Sequence, residues 1–321
     1  MADKYAFLFP GQGAQEPGMI KDICGAFSEA RRVVDDVTEI TGVDMPSLLW
    51  DTELSFLSRS DNSQLAITTA SIAVMKALET RGIVPSAAMG FSLGEFPALY
   101  AAGVLSFEDV IKVVRVRGQI MQRVCEKIAS ENSGHAPGMS AVIGLPQEKV
   151  IEIASGIKDV YAANLNSNVQ TVISGTAAGL ELAEKACKEA GARRALRLSV
   201  AGPFHCPLMQ EAADEFRNAI AGTEFRNPEI ALFSNVTGKR ALSGAEIKEN
   251  AVLHLTHPVR WTDEEAVLAA FMDADSAGSW RLVEPGVGKV LTGLWGKTDF
   301  NEKYQCLPVN SAETFGAAAS V

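Results

Sequence analysis

Thiols, imidazoles and long apolar runs are all scarce in this chain. Five cysteines stand in 321 residues, at Cys24, Cys125, Cys187, Cys206 and Cys306. They are scattered and form no CxxC pair, which excludes a disulfide framework and a thiolate metal site and fits a reducing compartment. No stretch approaches the ~18 apolar residues of a membrane span, and the apolar run before Pro10 is too short for the core of a signal peptide. A cytoplasmic protein without a membrane role is therefore expected. Basic residues are outnumbered, 29 against 39 acidic, leaving a net charge of -10. That balance argues against nucleic acid or an anionic membrane surface as the main partner. The hydrophobic content, 47%, is enough for a large core in one or two domains.

Along the chain, Tyr5–Phe9 reads as a short buried strand ending on Pro10-Gly11-Gln12-Gly13, with helical stretches to about Thr80. Ser86–Gly90 leads into Phe91-Ser92-Leu93-Gly94-Glu95 and an alanine-rich helical run. Ser106-Phe107-Glu108-Asp109 resembles a capping box before a helix whose apolar face carries Val110, Val113, Val114, Met121 and Val124. The polar stretch from Glu131 to Pro137 reads as a linker. After it come a strand (139–143), a helix (146–155), two strands (159–163 and 169–173), a helix (177–190) and a strand (195–198). This βαββαβ order is the ferredoxin-like, split-βαβ pattern. The expectation is an α/β fold in which residues 131–198 form a small subdomain inserted into a large domain of 1–130 and 199–321. Ser311–Val321 reads as a loose tail.

Gly90-Phe91-Ser92-Leu93-Gly94 matches G-x-S-x-G, whose glycines permit a sharp strand-to-helix turn with an exposed serine hydroxyl. Alone, the pattern is either a structural turn or a nucleophile site. A nucleophilic serine needs a base, and only His135, His205, His254 and His257 are available. His205, in the Gly/Pro-bounded loop Ala201–Pro207, is the best placed, against the plainer reading of a packed loop histidine. Arg117 lies within the apolar stripe of its helix, whereas Lys112, Arg115 and Arg123 fall on the opposite, solvated face. A charge there requires a partner, either an internal carboxylate or a substrate carboxylate held bidentately. In Pro10–Gln15 the third glycine of G-x-G-x-x-G is replaced by Glu16, so a dinucleotide fingerprint fails and only a loop able to approach an anion remains.

Phe9–Gln15, Gly90–Glu95, Arg115-Val116-Arg117-Gly118 and Phe204-His205, in that order, resemble the malonyl-CoA:acyl carrier protein transacylase family. Further echoes are Asn164-Leu165-Asn166, Ser234–Gly238, Pro258-Val259-Arg260-Trp261 and Gly288–Leu291. The resemblance implies an α/β-hydrolase-like large domain with a parallel sheet, plus the ferredoxin-like insert. It implies Ser92 as nucleophile, His205 as base oriented by the main-chain carbonyl of His254, and backbone amides of Gln12 and Leu93 as oxyanion hole. Arg117 would bind the malonate carboxylate, with Gln64, Phe91, Phe204 and His254 in support. Two departures are Phe91, where relatives usually carry histidine, and His254, where many carry glutamine; Phe204 is of the malonyl-preferring type. No metal or redox cofactor is implied, and a monomer is. Malonyl-CoA and an acidic acyl carrier protein are the implied partners, the latter docking near Lys185, Lys188, Arg193, Arg194 and Arg197. Fatty-acid synthesis is the expected setting; a polyketide acyltransferase or a thioesterase with the same Ser-His pair are the alternatives.

Overall fold

The computed structural model describes residues 3–132, 135–275 and 278–319. The strands are β1 (Asp3–Phe9), β2 (Pro85–Gly90), β3 (Gly138–Ile143), β4 (Val160–Ser167), β5 (Gln170–Gly175), β6 (Arg194–Arg197), β7 (Ala231–Ser234), β8 (Lys239–Ala241), β9 (Ser279–Pro285) and β10 (Cys306–Val309). A six-stranded sheet runs β10-β9-β1-β2-β7-β8. It is parallel from β10 to β7, as expected, and at one edge β8 hairpins back antiparallel to β7 through a short turn.

The central strand shows why both faces are covered. Along β1, Phe7 and Phe9 enter one core with the helices Ser28–Thr41, Ser60–Glu79 and Phe107–Glu131, while Ala6 and Leu8 enter another with Trp261–Ala274 and Val290–Trp295. Period-two alternation with both faces apolar is what a parallel strand between helical layers requires.

The second sheet, ordered β4-β5-β3-β6, is antiparallel throughout, with its two helices over a separate core of Val142, Val150, Ile173, Leu180 and Ala195. That is the strand order of the ferredoxin-like pattern. β4 runs four residues beyond the expected 159–163, because Asn164 and Leu165 pair with β5 on one side while Val259 meets Asn164 on the other. Ser106 caps its helix, accepting a hydrogen bond from the Asp109 amide at 3.1 Å. Two residues of the expected linker, Ser133 and Gly134, lie outside the described residues.

The expected loose tail is corrected. Residues Ala312–Ala319 are a helix whose Phe315 is buried and stacks on Phe27 with ring centroids 4.1 Å apart. Ser311 accepts from the Thr314 amide at its start. Among the described residues, no helix is long and apolar enough to cross a membrane.

Candidate active site

Three neighbouring strands end at one edge of the large sheet, and their ends carry the site. Parallel pairing sets Phe9 opposite Gly90 and Ala88 opposite Leu232. The loops after β1, β2 and β7 therefore bring Gln12, Ser92 and Asn235 together, at the carboxyl ends of the strands where open α/β sheets bind ligands.

Ser92 sits at the sharp turn after β2 with φ +52°, in the left-handed region a serine rarely adopts. The turn closes because Gly90 has no side chain: a Cβ there would lie 1.9 Å from the Gly94 carbonyl oxygen. The strained backbone is held from across the sheet, where the Asn235 side-chain oxygen accepts the Ser92 amide hydrogen bond at 2.7 Å. His205 has φ +59° as well, and the Ser174 hydroxyl on β5 donates to the Phe204 carbonyl just before it at 2.5 Å.

The Ser92 hydroxyl lies 2.8 Å from His205 Nε2, and His205 Nδ1 lies 2.8 Å from the His254 carbonyl oxygen. A carbonyl can only accept, so Nδ1 carries the proton and Nε2 is left to accept from the serine. The His205 ring is oriented by a main-chain carbonyl, without an acidic side chain. Burial, aided by the positive charge of Arg117, pulls the His205 pKa down to about 4, so the imidazole is neutral at pH 7. His135 and His257, by contrast, are exposed.

Arg117 is 1% exposed and borders the same cleft. Its place follows from a close helix crossing: a Cβ on Gly118 would lie 2.6 Å from the Ser60 carbonyl oxygen, so Phe107–Glu131 can lie against Ser60–Glu79 only at a glycine. There Arg117 Nη1 donates to Gln64 Oε1 at 2.8 Å, and its guanidinium stands 5.1 Å from the centre of the Phe96 ring. No carboxylate pairs with Arg117 among the described residues, and its Nε has no hydrogen-bond partner. Burial lowers its pKa to about 10, opposed by the charge of Glu95, so it remains a cation. A buried, unpaired cation costs several kcal/mol, and Arg117 lines a cleft of about 290 Å³.

Neither the Gln12 nor the Leu93 amide donates a hydrogen bond among the described residues. Phe91 borders the cleft with its ring edge-on to Trp261 at 5.4 Å, and Phe204 borders it beside His205. The opposite wall comes from the small sheet: Met139, Ala141 and Val172, then Leu198, with Asn164 and Asn166 among them. The basic cluster of that unit is exposed, but Arg197 is paired with Glu184 at 3.1 Å and Lys185 approaches Glu189 at 3.9 Å; Arg193 and Arg194 have no carboxylate partner among the described residues.

Asn235 escaped sequence reasoning except as part of a resemblance. Its signal, the polar pair Ser234-Asn235 directly after the apolar Ala231-Leu232-Phe233, is visible but weak. Asn166 likewise entered only as part of the resemblance, and the fold shows its side-chain oxygen buried and unpartnered.

Residues 6–278 match the acyl transferase domain. The chain is 36% identical over 319 residues to a malonyl CoA-acyl carrier protein transacylase of Bacillus subtilis (strain 168), covering 98% of this chain and 96% of that protein. Among solved structures, the malonyl-CoA:acyl carrier protein transacylase of Xanthomonas oryzae pv. oryzae superposes with a TM-score of 0.89 at 33% identity, covering 99% and 98% of the two chains. A type II PKS acyl-carrier protein in complex with its malonyl-transacylase gives 0.88 at 32% identity, with 99% of each chain covered.

Proposed function

Because the chain belongs to the acyl transferase domain family, we infer that it is a malonyl-CoA:acyl carrier protein transacylase of fatty-acid synthesis, working through an acyl-enzyme at Ser92. The observation that carries the reading is a Ser92–His205 pair at 2.8 Å facing the same cleft as the unpaired Arg117. A monoacyl thioesterase has no use for a buried cation there; a malonyl group supplies the missing carboxylate.

His205 Nε2 takes the Ser92 proton as the oxygen attacks the thioester carbonyl. The developing oxyanion meets the free amides of Gln12 and Leu93. Collapse expels coenzyme A as its thiol, protonated by His205, and leaves malonyl-Ser92. The phosphopantetheine thiol of the carrier then gives its proton to His205 and attacks the ester, returning the Ser92 hydroxyl. Arg117 holds the malonate carboxylate throughout, and this neutralises the charge that depresses the His205 basicity, so substrate binding strengthens the base. We place the protein in the cytoplasm, a reading supported by five free, buried cysteines, and take residues 131–198 as the inserted unit closing the cleft.

The test is incubation with malonyl-CoA and, separately, acetyl-CoA, followed by peptide mass spectrometry. A malonyl adduct on Ser92 that forms poorly with acetyl-CoA is expected; coenzyme A release without any adduct would replace this reading with hydrolysis. The neighbour bound to a type II PKS carrier favours a second reading, supply of a polyketide carrier, which competition between the two carrier types separates.

A further inference from the structure

The conformation of Ser92 is imposed from outside its own turn. Asn235 is fully buried, and while its carbonyl accepts from the Arg260 amide at 2.9 Å, its side chain is spent on that turn and its supports. Its side-chain oxygen accepts from the Ser92 amide at 2.7 Å and faces His254 Nε2 at 3.1 Å; since that oxygen can only accept, Nε2 bears the imidazole proton. Its side-chain nitrogen donates to the Gly90 carbonyl at 2.6 Å and to Glu264 at 2.9 Å. Its own amide lies 3.3 Å from Glu95 Oε2. One side chain thus grips both ends of the strained turn, Gly90 and Ser92, and the ring of the residue whose carbonyl orients His205.

We propose that Asn235 is the positioning residue of the reaction: it holds Ser92 in its left-handed conformation and, through the His254 ring, fixes the carbonyl that sets the tautomer of His205. Nucleophile and base come from distant segments, and Asn235 bonds to the support of each. A side chain that merely filled space would need neither the acceptor aimed at Ser92 nor the donor aimed at Gly90. The inference rests on the acyl-enzyme reading, and the experiment separates the two.

The informative variant is Asn235→Asp. As a neutral acid, aspartate keeps a carbonyl for the Ser92 amide and a hydroxyl donor for Gly90; once ionised, it sets a charge against the Gly90 carbonyl oxygen and loses the donor. Around it stand Glu264 and Glu95, with His254 and, behind that, His205; Arg117 acts from beyond Glu95, and Glu265 and Asp263 flank Glu264. Burial and the two nearest carboxylates disfavour ionisation, so the loss falls within the accessible range above the ordinary aspartate value.

Malonyl-Ser92 formation would be followed by rapid-quench mass spectrometry for the native protein, Asn235→Asp and Asn235→Ala, from about pH 5.5 to about pH 8.5, with thermal unfolding recorded alongside. Asn235→Ala is expected to acylate about 100-fold more slowly with an unchanged KM for malonyl-CoA, as for a misplaced reacting group. Asn235→Asp should approach the native rate at the acid end and lose it as pH rises while still folded, each rate taken relative to the native protein at the same pH because Glu95, raised by burial to about 7, titrates in both. Acylation by folded Asn235→Ala at the native rate overturns the proposal. So does a raised KM with kcat intact, a loss in Asn235→Asp that follows unfolding, or failure of both variants to fold. If the native protein forms no adduct at any pH, the acyl-enzyme reading itself fails.

Discussion

The two walls of the cleft are built on opposite terms. On the large-sheet wall, Ser92, His205, Asn235 and His254 form a hydrogen-bonded polar set around two left-handed residues, and Gln64 bonds to Arg117 beside it. On the small-sheet wall, Met139, Ala141, Val172 and Leu198 offer shape, and the Asn166 side-chain oxygen is unspent. The reacting atoms must stand within a fraction of an ångström of one geometry, so their wall is over-determined. On the proposed mechanism the facing wall meets two different thioesters in turn, and a wall with an unspent acceptor accommodates both.

The sharpest break of this contrast is Ser92→Ala, which should abolish the malonyl adduct and lower transfer by about 10⁴-fold or more, measured as carrier loading. Arg117→Ala comes next: malonyl-CoA kcat/KM should fall about 100-fold while acetyl-CoA loading is unharmed, because a buried charge-assisted contact is lost for one substrate only. An equal loss for both acyl groups would move the selecting role from Arg117 to Phe91.

The pH profile sharpens the same wall. On the proposed mechanism catalysis needs neutral His205, and a pKa held near 4 keeps it neutral in mild acid. The native kcat/KM should therefore survive at about pH 5, where an unperturbed histidine base would cost about 30-fold. Removing Arg117 takes away one of the two lowering influences, so the acid limb of Arg117→Ala should sit at higher pH than that of the native protein.

Smaller effects are expected opposite. Asn166→Ala should raise the malonyl-CoA KM about fivefold with kcat retained, the signature of uniform binding. Reversing Arg193 and Arg194 to glutamate should raise only the KM for the carrier, by about threefold, because neighbouring Arg197 and Lys185 are already offset by Glu184 and Glu189. A fall in kcat from either change would erase the distinction between the walls.

Sequence alone determined what local rules govern. Periodicity announced the helices, the glycines of Gly90–Gly94 announced a tight turn, the order of elements announced the ferredoxin-like unit, and a charge in an apolar stripe singled out Arg117. The alanine-rich end misled because its anchor, Phe315 on Phe27, lies far away in the chain. What joined Ser92 to Asn235, 143 residues apart, was the adjacency of β2 and β7. What oriented His205 was the carbonyl of His254, a group every residue possesses. Both depend on strand order and chain path, long-range packing outcomes that no local pattern encodes, so the residue types of the site were legible while the bonds that make them a mechanism belonged to the tertiary structure.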